Sequence, residues 1–330
     1  MIDTNPKLIE LIMREELPMQ KKLAITGLAF SICFSTFSFA KEYVIGVTQN
    51  NVGVDSYQTT YDIALKETMT EYKNVEGIVL DSGGNVARQI AQVQDLIQQE
   101  VDAIILWPTN GQALTPIVRK AKQMGIPVII TNSNISEKGQ QFITAFSGPN
   151  TITQGQYAAE LMCEGLNGKG QVVQITGQPG YQTAINRQKG FEDSLAADCP
   201  GVSIIDSQPG DWNREKSQRV MENFITRFGT KIDGVYAADD NMGIGALNAI
   251  KEADLKNIKI VGATNFAVGY DAIKEGSYYG SVVQSPVSDA IAALAITMKI
   301  LNGDKVEKDN YFDTPKVTLA NIDEFERPVF

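Results

Sequence analysis

Four apolar residues in a row, Ala103-Ile104-Ile105-Leu106, limit the folds open to this chain more than any other stretch. A strand without polar alternation is buried on both faces, as in a parallel sheet covered by helices. The pattern predicts strands at 43–48, 76–81, 103–106 and 127–131, with helices at 57–71, 86–99 and 113–124 between them. The helices carry apolar residues three and four apart, as at Ile90, Val93 and Ile97. After an apolar piece at 141–146, Ser147-Gly148-Pro149-Asn150 punctuates the chain.

The alternation then restarts. Helices are predicted at 151–166, 183–197, 215–228 and 242–253, and strands at 171–176, 202–207, 235–237, 258–263 and 279–283. The expected class is α/β, with two doubly wound parallel-sheet lobes. The tail from Pro286 holds one long helix, 289–301, and short extended pieces, too little for a third domain. It must complete the two lobes, so the chain crosses between them more than once. Repeated crossings make a hinge, and hinged lobes close around ligands.

Composition removes several function classes. With 39 acidic against 29 basic residues, the chain repels nucleic acid and anionic lipid. It has no histidine, hence no His-based nucleophile arrangement and no cofactor-grade metal cluster. Gly243-Ile244-Gly245 lacks the third glycine of a dinucleotide fingerprint, and Gly168-Lys169-Gly170 is not a phosphate loop. Asp239 and Asp240 are adjacent and cannot flank a glycosidic bond as an acid/base pair. No enzyme, cofactor or metal is expected.

Residues 19–40 read as a secretory signal: Lys21 and Lys22, an apolar run from Leu23 to Phe37, and Ser38-Phe39-Ala40 as the cleavage site. Translation is expected to start at Met19, and the mature chain at Lys41. Ile32 before Cys33 argues against lipid attachment. Cleavage leaves Cys163 and Cys199, which can pair in an oxidising compartment.

Polar residues gather where the strands end. Asn50, Asn51, Asp55 and Tyr57 follow the first strand, Trp107 the third and Asn132 the fourth. In the second half come Arg187, Trp212, the Asp239-Asp240 pair, Asn265 and Gln284. Asp240 has a local task available, capping the next helix, whereas Asp239 is expected to point into a cleft. Amides, carboxylates and a guanidinium suit hydroxyl groups, and tryptophans suit the faces of a sugar ring. The ligand read from this mixture is an uncharged polyhydroxylated solute.

At this point the chain resembles the periplasmic sugar-binding proteins of the ribose type. The resemblance covers 43–320. It rests on Leu80-Asp81-Ser82 with Gln92-Val93-Gln94-Asp95-Leu96-Ile97, Gly125-Ile126-Pro127-Val128-Ile129, Arg187-Gln188-Lys189-Gly190-Phe191, Ala238-Asp239-Asp240-Asn241-Met242-Gly243-Ile244-Gly245-Ala246, and Val283-Gln284-Ser285-Pro286. It implies a monomeric type I binding fold that hands its solute to an ABC permease from the periplasm. It also implies three hinge crossings, near Ser147, Ser285 and Thr314. The N-terminal lobe would then be 41–147 with 285–313, and the C-terminal lobe 148–284 with 314–330, after an upstream segment 1–40. By position, Arg187 corresponds to the family's ligand-binding arginine, Gln284 to its hinge glutamine, and Trp212 and Tyr57 to stacking aromatics. Asp239 stands where ribose binders have asparagine, Trp107 where they have asparagine, Asn132-Ser133 where they have Asp-Arg, and Thr264 where they have Asp. These departures point away from ribose, to another neutral sugar or a sugar alcohol. The alternative is a sensing protein that presents a sugar or autoinducer-like polyol to a chemoreceptor or sensor kinase.

Overall fold

The computed structural model describes residues 42–330. The expected signal segment, with Met19, Cys33 and Lys41, lies outside the described residues. Two six-stranded sheets form the framework. The first contains β1 (Tyr43–Gln49), β2 (Val75–Asp81), β3 (Ala103–Leu106), β4 (Val128–Thr131) and β5 (Ala145–Pro149). Between these run α1 (Ser56–Glu71), α2 (Val86–Gln98) and α3 (Thr115–Gln123). Late in the chain, β11 (Asp309–Phe312) joins the far edge, giving the order β2-β1-β3-β4-β5-β11, every pair parallel.

The second sheet contains β6 (Gly170–Thr176), β7 (Val202–Pro209), β8 (Gly234–Ala237), β9 (Lys259–Val261) and β10 (Gly280–Val282). Its helices are α4 (Thr151–Gly165), α5 (Gln182–Asp198), α6 (Arg214–Phe228), α7 (Asp240–Glu252) and α8 (Ala267–Lys274). The order is β7-β6-β8-β9-β10, extended by an antiparallel edge strand, β12 (Lys316–Thr318). The protein is thus two α/β lobes built on parallel sheets.

Burial on both faces is visible in β3. Ile105 packs with α1 and with α9 (Pro286–Leu301), through Tyr61, Leu65, Ala293 and Leu294. Ile104 and Leu106 pack on the opposite face with α2 and α3, through Val93, Leu96 and Val118. A charge on either face of such a strand would meet a closed core.

The chain passes between the sheets three times: between β5 and α4, between β10 and α9, and between β11 and β12. The first passage comes later than Ser147, because Ser147, Gly148 and Pro149 pair with β11 as part of β5. The apolar stretch at 141–146 begins instead with the end of a 3₁₀ segment, Glu137–Phe142. Helix α9 starts at Pro286 rather than 289: Ser285 caps it and proline, with no N–H to satisfy, fits its first turn. Helix α8 had no counterpart in the sequence reading, since Gly269 and its short length blur the helical period.

Cys163, near the end of α4, and Cys199, just past α5, form a disulfide with Cα atoms 6.1 Å apart. The bridge closes a loop with a sequence separation of 36 residues. Restricting the unfolded chain in this way is worth about 2–4 kcal/mol. We expect the double variant Cys163→Ser/Cys199→Ser to lose stability of that order in urea unfolding, with unchanged solute affinity. An unchanged midpoint would show the bridge to be thermodynamically idle.

Candidate functional site

In a doubly wound sheet, a crevice opens beyond the carboxyl ends of the strands where the strand order reverses. Here the reversals lie between β1 and β3 in one sheet and between β6 and β8 in the other. Asn50 follows β1 and Trp107 follows β3; Tyr181 lies beyond β6 and Asp239 beyond β8. All four line a single cavity between the lobes. It leaves about 50 Å³ for the centres of water molecules, several times the roughly 10–15 Å³ that one water needs.

Arg187 is 3 % exposed and held from all sides. Its Nε donates to Gln154 Oε1 at 3.0 Å and its Nη1 to the Ala238 carbonyl at 2.6 Å. Its Nη2 donates to Gln284 Oε1 at 2.8 Å and to Thr264 Oγ1 at 3.3 Å. Two glycines make this possible. A Cβ at Gly155 would strike the Arg187 carbonyl, and one at Gly190 would strike that of Ile152, so α4 and α5 touch backbone to backbone. The guanidinium has five N–H donors, and these bonds fix its plane.

Gln284 carries the arrangement across the hinge. Its Nε2 donates to Tyr57 Oη at 2.7 Å, and Tyr57 Oη donates to Asp289 Oδ2 at 3.0 Å. Asn132 Nδ2 donates to the same Oδ2 at 2.6 Å and to Tyr57 Oη at 3.2 Å. Asp289 is fully buried in the first turn of α9. Sequence reasoning passed it over, because it follows no strand.

Asp55 and Asp239 occupy equivalent places in the two lobes. Each is the extended residue before a helix, α1 or α7, and each accepts from a backbone N–H, that of Gln58 at 2.8 Å or Met242 at 2.7 Å. The expected division of labour between the adjacent acids is therefore corrected. Asp239 both caps α7 and lines the cavity, because its φ of −147° leaves it just outside the helix. Asp240 turns inward to accept from Ser281 Oγ and from the Phe266 N–H.

The aromatic groups bridge the lobes. Trp107 Nε1 donates to Tyr181 Oη. Tyr181 meets Trp212 edge to face, with ring centroids 5.7 Å apart. Trp212 lies over Gly177, where any Cβ would collide with its ring. Trp107 packs edge-on against Tyr57 and Tyr61. Three lining residues, Asn132, Trp212 and Thr264, hold positive φ, a strained backbone that concentrates at binding sites.

Of the residues singled out from the sequence, Asn50, Asp55, Tyr57, Trp107, Asn132, Arg187, Trp212, Asp239 and Gln284 come together around the cavity. Asn51 and Asn265 stand outside it. Asn51 sits beside Gly84, where its backbone N–H meets Gln58 Oε1. Asn265 is buried behind the strand ends, its N–H on Ser281 Oγ. Gln58, Tyr181, Thr183, Thr264 and Phe266 also line the cavity. Tyr181 and Thr264 followed strands and were open to the same rule. Phe266 precedes the unforeseen α8.

Burial dominates the electrostatics. It pushes the Asp239 carboxyl up to about 7, with the charge of Asp55 adding and the Met242 N–H opposing. Burial likewise lifts Asp240 and Asp289 to about 7, against their hydrogen bonds. Asp55 is raised and Arg187 lowered, both by burial first. An unfolded aspartate titrates at roughly 3.9, so between about pH 4 and 7 the folded chain binds more protons than the unfolded one. These groups thus make the solute-free protein lose stability as pH rises through that window. Urea unfolding at pH 5 and pH 8 should show the fall, and a smaller one in Asp239→Asn. An identical pH slope in wild type and variant would contradict this.

Comparison with known proteins agrees with this geometry. Residues 45–305 match the model of the family described as periplasmic binding protein domain. A xylitol-binding protein of Mycolicibacterium smegmatis is 33% identical over 273 residues, covering 80% of this chain and 77% of that one. A ribose import binding protein of Salmonella typhimurium is 27% identical over 292 residues, covering 87% and 95%. The solved structure of an ABC transporter solute-binding protein from Bacillus halodurans, with bound myo-inositol, superposes with a TM-score of 0.79 at 29% identity, covering 86% and 97%. The protein therefore belongs to the periplasmic binding protein family, as a sugar-binding member of the ribose type, in a family of binders and not of enzymes.

Proposed function

We propose that this protein captures one monosaccharide-sized sugar or sugar alcohol by hinge closure in the periplasm and delivers it to an ABC permease. The observation that carries the reading is the single cavity shared by polar groups of both lobes, Asn50 and Asn132 on one side and Arg187 and Asp239 on the other. Only the closed form joins these groups around one solute, so a ligand that needs both sets shifts the hinge toward closure. Thr183 supports the choice of ligand. Its Oγ1 is buried at the cavity wall with no hydrogen-bond partner, and a solute hydroxyl could supply one. The edges and faces of Tyr57, Trp107, Tyr181 and Trp212 offer the apolar surface that a carbon skeleton requires. Relatives named for xylitol and ribose, and a structural neighbour holding myo-inositol, favour the same solute class.

In this reading Asn50, Asp55, Tyr57, Trp107, Asn132, Arg187, Trp212, Asp239 and Gln284 contact the solute or hold its contacts, together with Tyr181 and Thr183. A thermal-shift screen of pentoses, hexoses and polyols tests it. A true ligand at a hundred times its Kd adds about 2.7 kcal/mol of stability. In calorimetric titration with that ligand, Arg187→Ala should weaken binding by about 2 kcal/mol or more, because it leaves solute and protein acceptors unpaired. Native affinity in the folded variant would remove Arg187 from the site.

A further inference from the structure

The cavity holds more negative charge than it balances. Asp55 lines it from the N-terminal lobe and Asp239 from the C-terminal lobe, and Arg187 is the one cation among the lining residues. Arg187 is committed to Gln154, Ala238, Thr264 and Gln284, and bonds neither acid. Arg214, the other cation near Asp239, donates to Asn241. Asp239 is 4 % exposed; Oδ1 accepts from the Met242 N–H, and Oδ2 has no hydrogen-bond partner among the described residues. When both are ionised, two carboxylates lining one cavity from opposite lobes, one of them buried and neither bonded to a cation, oppose closure of the lobes.

A neutral hydroxyl can donate to a carboxylate but leaves this charge in place. A protonated amine supplies the missing positive charge and three N–H donors. The surrounding rings of Trp107, Tyr181 and Trp212 also favour a cation over a neutral group. We propose that the solute bears a protonated amine, as an amino sugar or aminopolyol, with its ammonium held between Asp55 and Asp239. The inference rests on the sugar or polyol reading above and narrows it. In this arrangement Asp55 and Asp239 determine specificity, each meeting the ammonium from its own lobe.

Calorimetric titration at pH 7 with matched pairs tests it: glucosamine and glucose, galactosamine and galactose, an inosamine and the inositol of the same configuration, glucamine and glucitol. In a pair that fits the cavity, the amino member should bind roughly tenfold tighter or more, as charge-assisted hydrogen bonds allow. Asp55→Asn and Asp239→Asn should each reduce that preference markedly. Asparagine caps a helix about as well as aspartate, so α1 and α7 keep their starts while the charge is gone. A purely structural role would weaken both members of a pair alike. Tighter or equal binding of the hydroxyl member, or an amine preference that survives both substitutions, would overturn the inference while leaving the sugar reading intact. Silence across every pair, neutral members included, would overturn both.

Discussion

The structure depends on a line of buried hydrogen bonds that runs from Arg187 through Gln284 and Tyr57 to Asp289. It starts in the C-terminal lobe, passes the second interlobe crossing, and ends in the first turn of α9. Arg187 only donates and Asp289 only accepts, while Gln284 and Tyr57 each accept from one neighbour and donate to the next, so none can rotate without leaving another unsatisfied. A buried polar network of this kind is costly when half made and rigid when complete. It sets the orientation of Arg187 and Tyr57 where they line the cavity.

Around that line the two lobes repeat one device. Beyond a parallel strand at a reversal of strand order, an aspartate in extended geometry caps the helix that follows. Asp55 and Asp239 are thereby both structural caps and cavity walls. The double duty explains how an acid as buried as Asp239 is held: the helix N-terminus binds one oxygen and the cavity receives the other. The aromatic bridge from Trp107 to Tyr181 closes the rim above them. The myo-inositol-bound neighbour from Bacillus halodurans shares this fold.

Much of this was legible in the chain itself. Continuous apolar strands such as Ala103–Leu106 announced parallel sheets, and the strand-end rule drew Asn50, Trp107, Arg187 and Asp239 to one place. What stayed hidden depended on backbone angles or on distant contacts. Asp240 reads in the chain as the cap of the next helix, and only the φ and ψ of Asp239 show that Asp239 takes that place. Asn132 and Asn265 both follow strands and both have positive φ, yet one faces the cavity and the other is buried behind it. Asp289 meets Asn132 across a separation of 157 residues, a contact that no local pattern encodes. The third strand-end amide of its loop, Asn51, is turned away by a bend that composition does not reveal.

The central claim is that a solute draws the two rows of strand ends together. Val54, on the loop before α1, and Ile185, on the first turns of α5, are 51% and 46% exposed in different lobes and can carry spin labels. Pulsed dipolar spectroscopy on that doubly labelled protein, with and without the strongest stabilising solute, reads the separation of the lobes directly. A broad or longer distribution that collapses to one short distance on saturation is the expected outcome. A distribution that saturating solute leaves unmoved would contradict closure as the mechanism of capture.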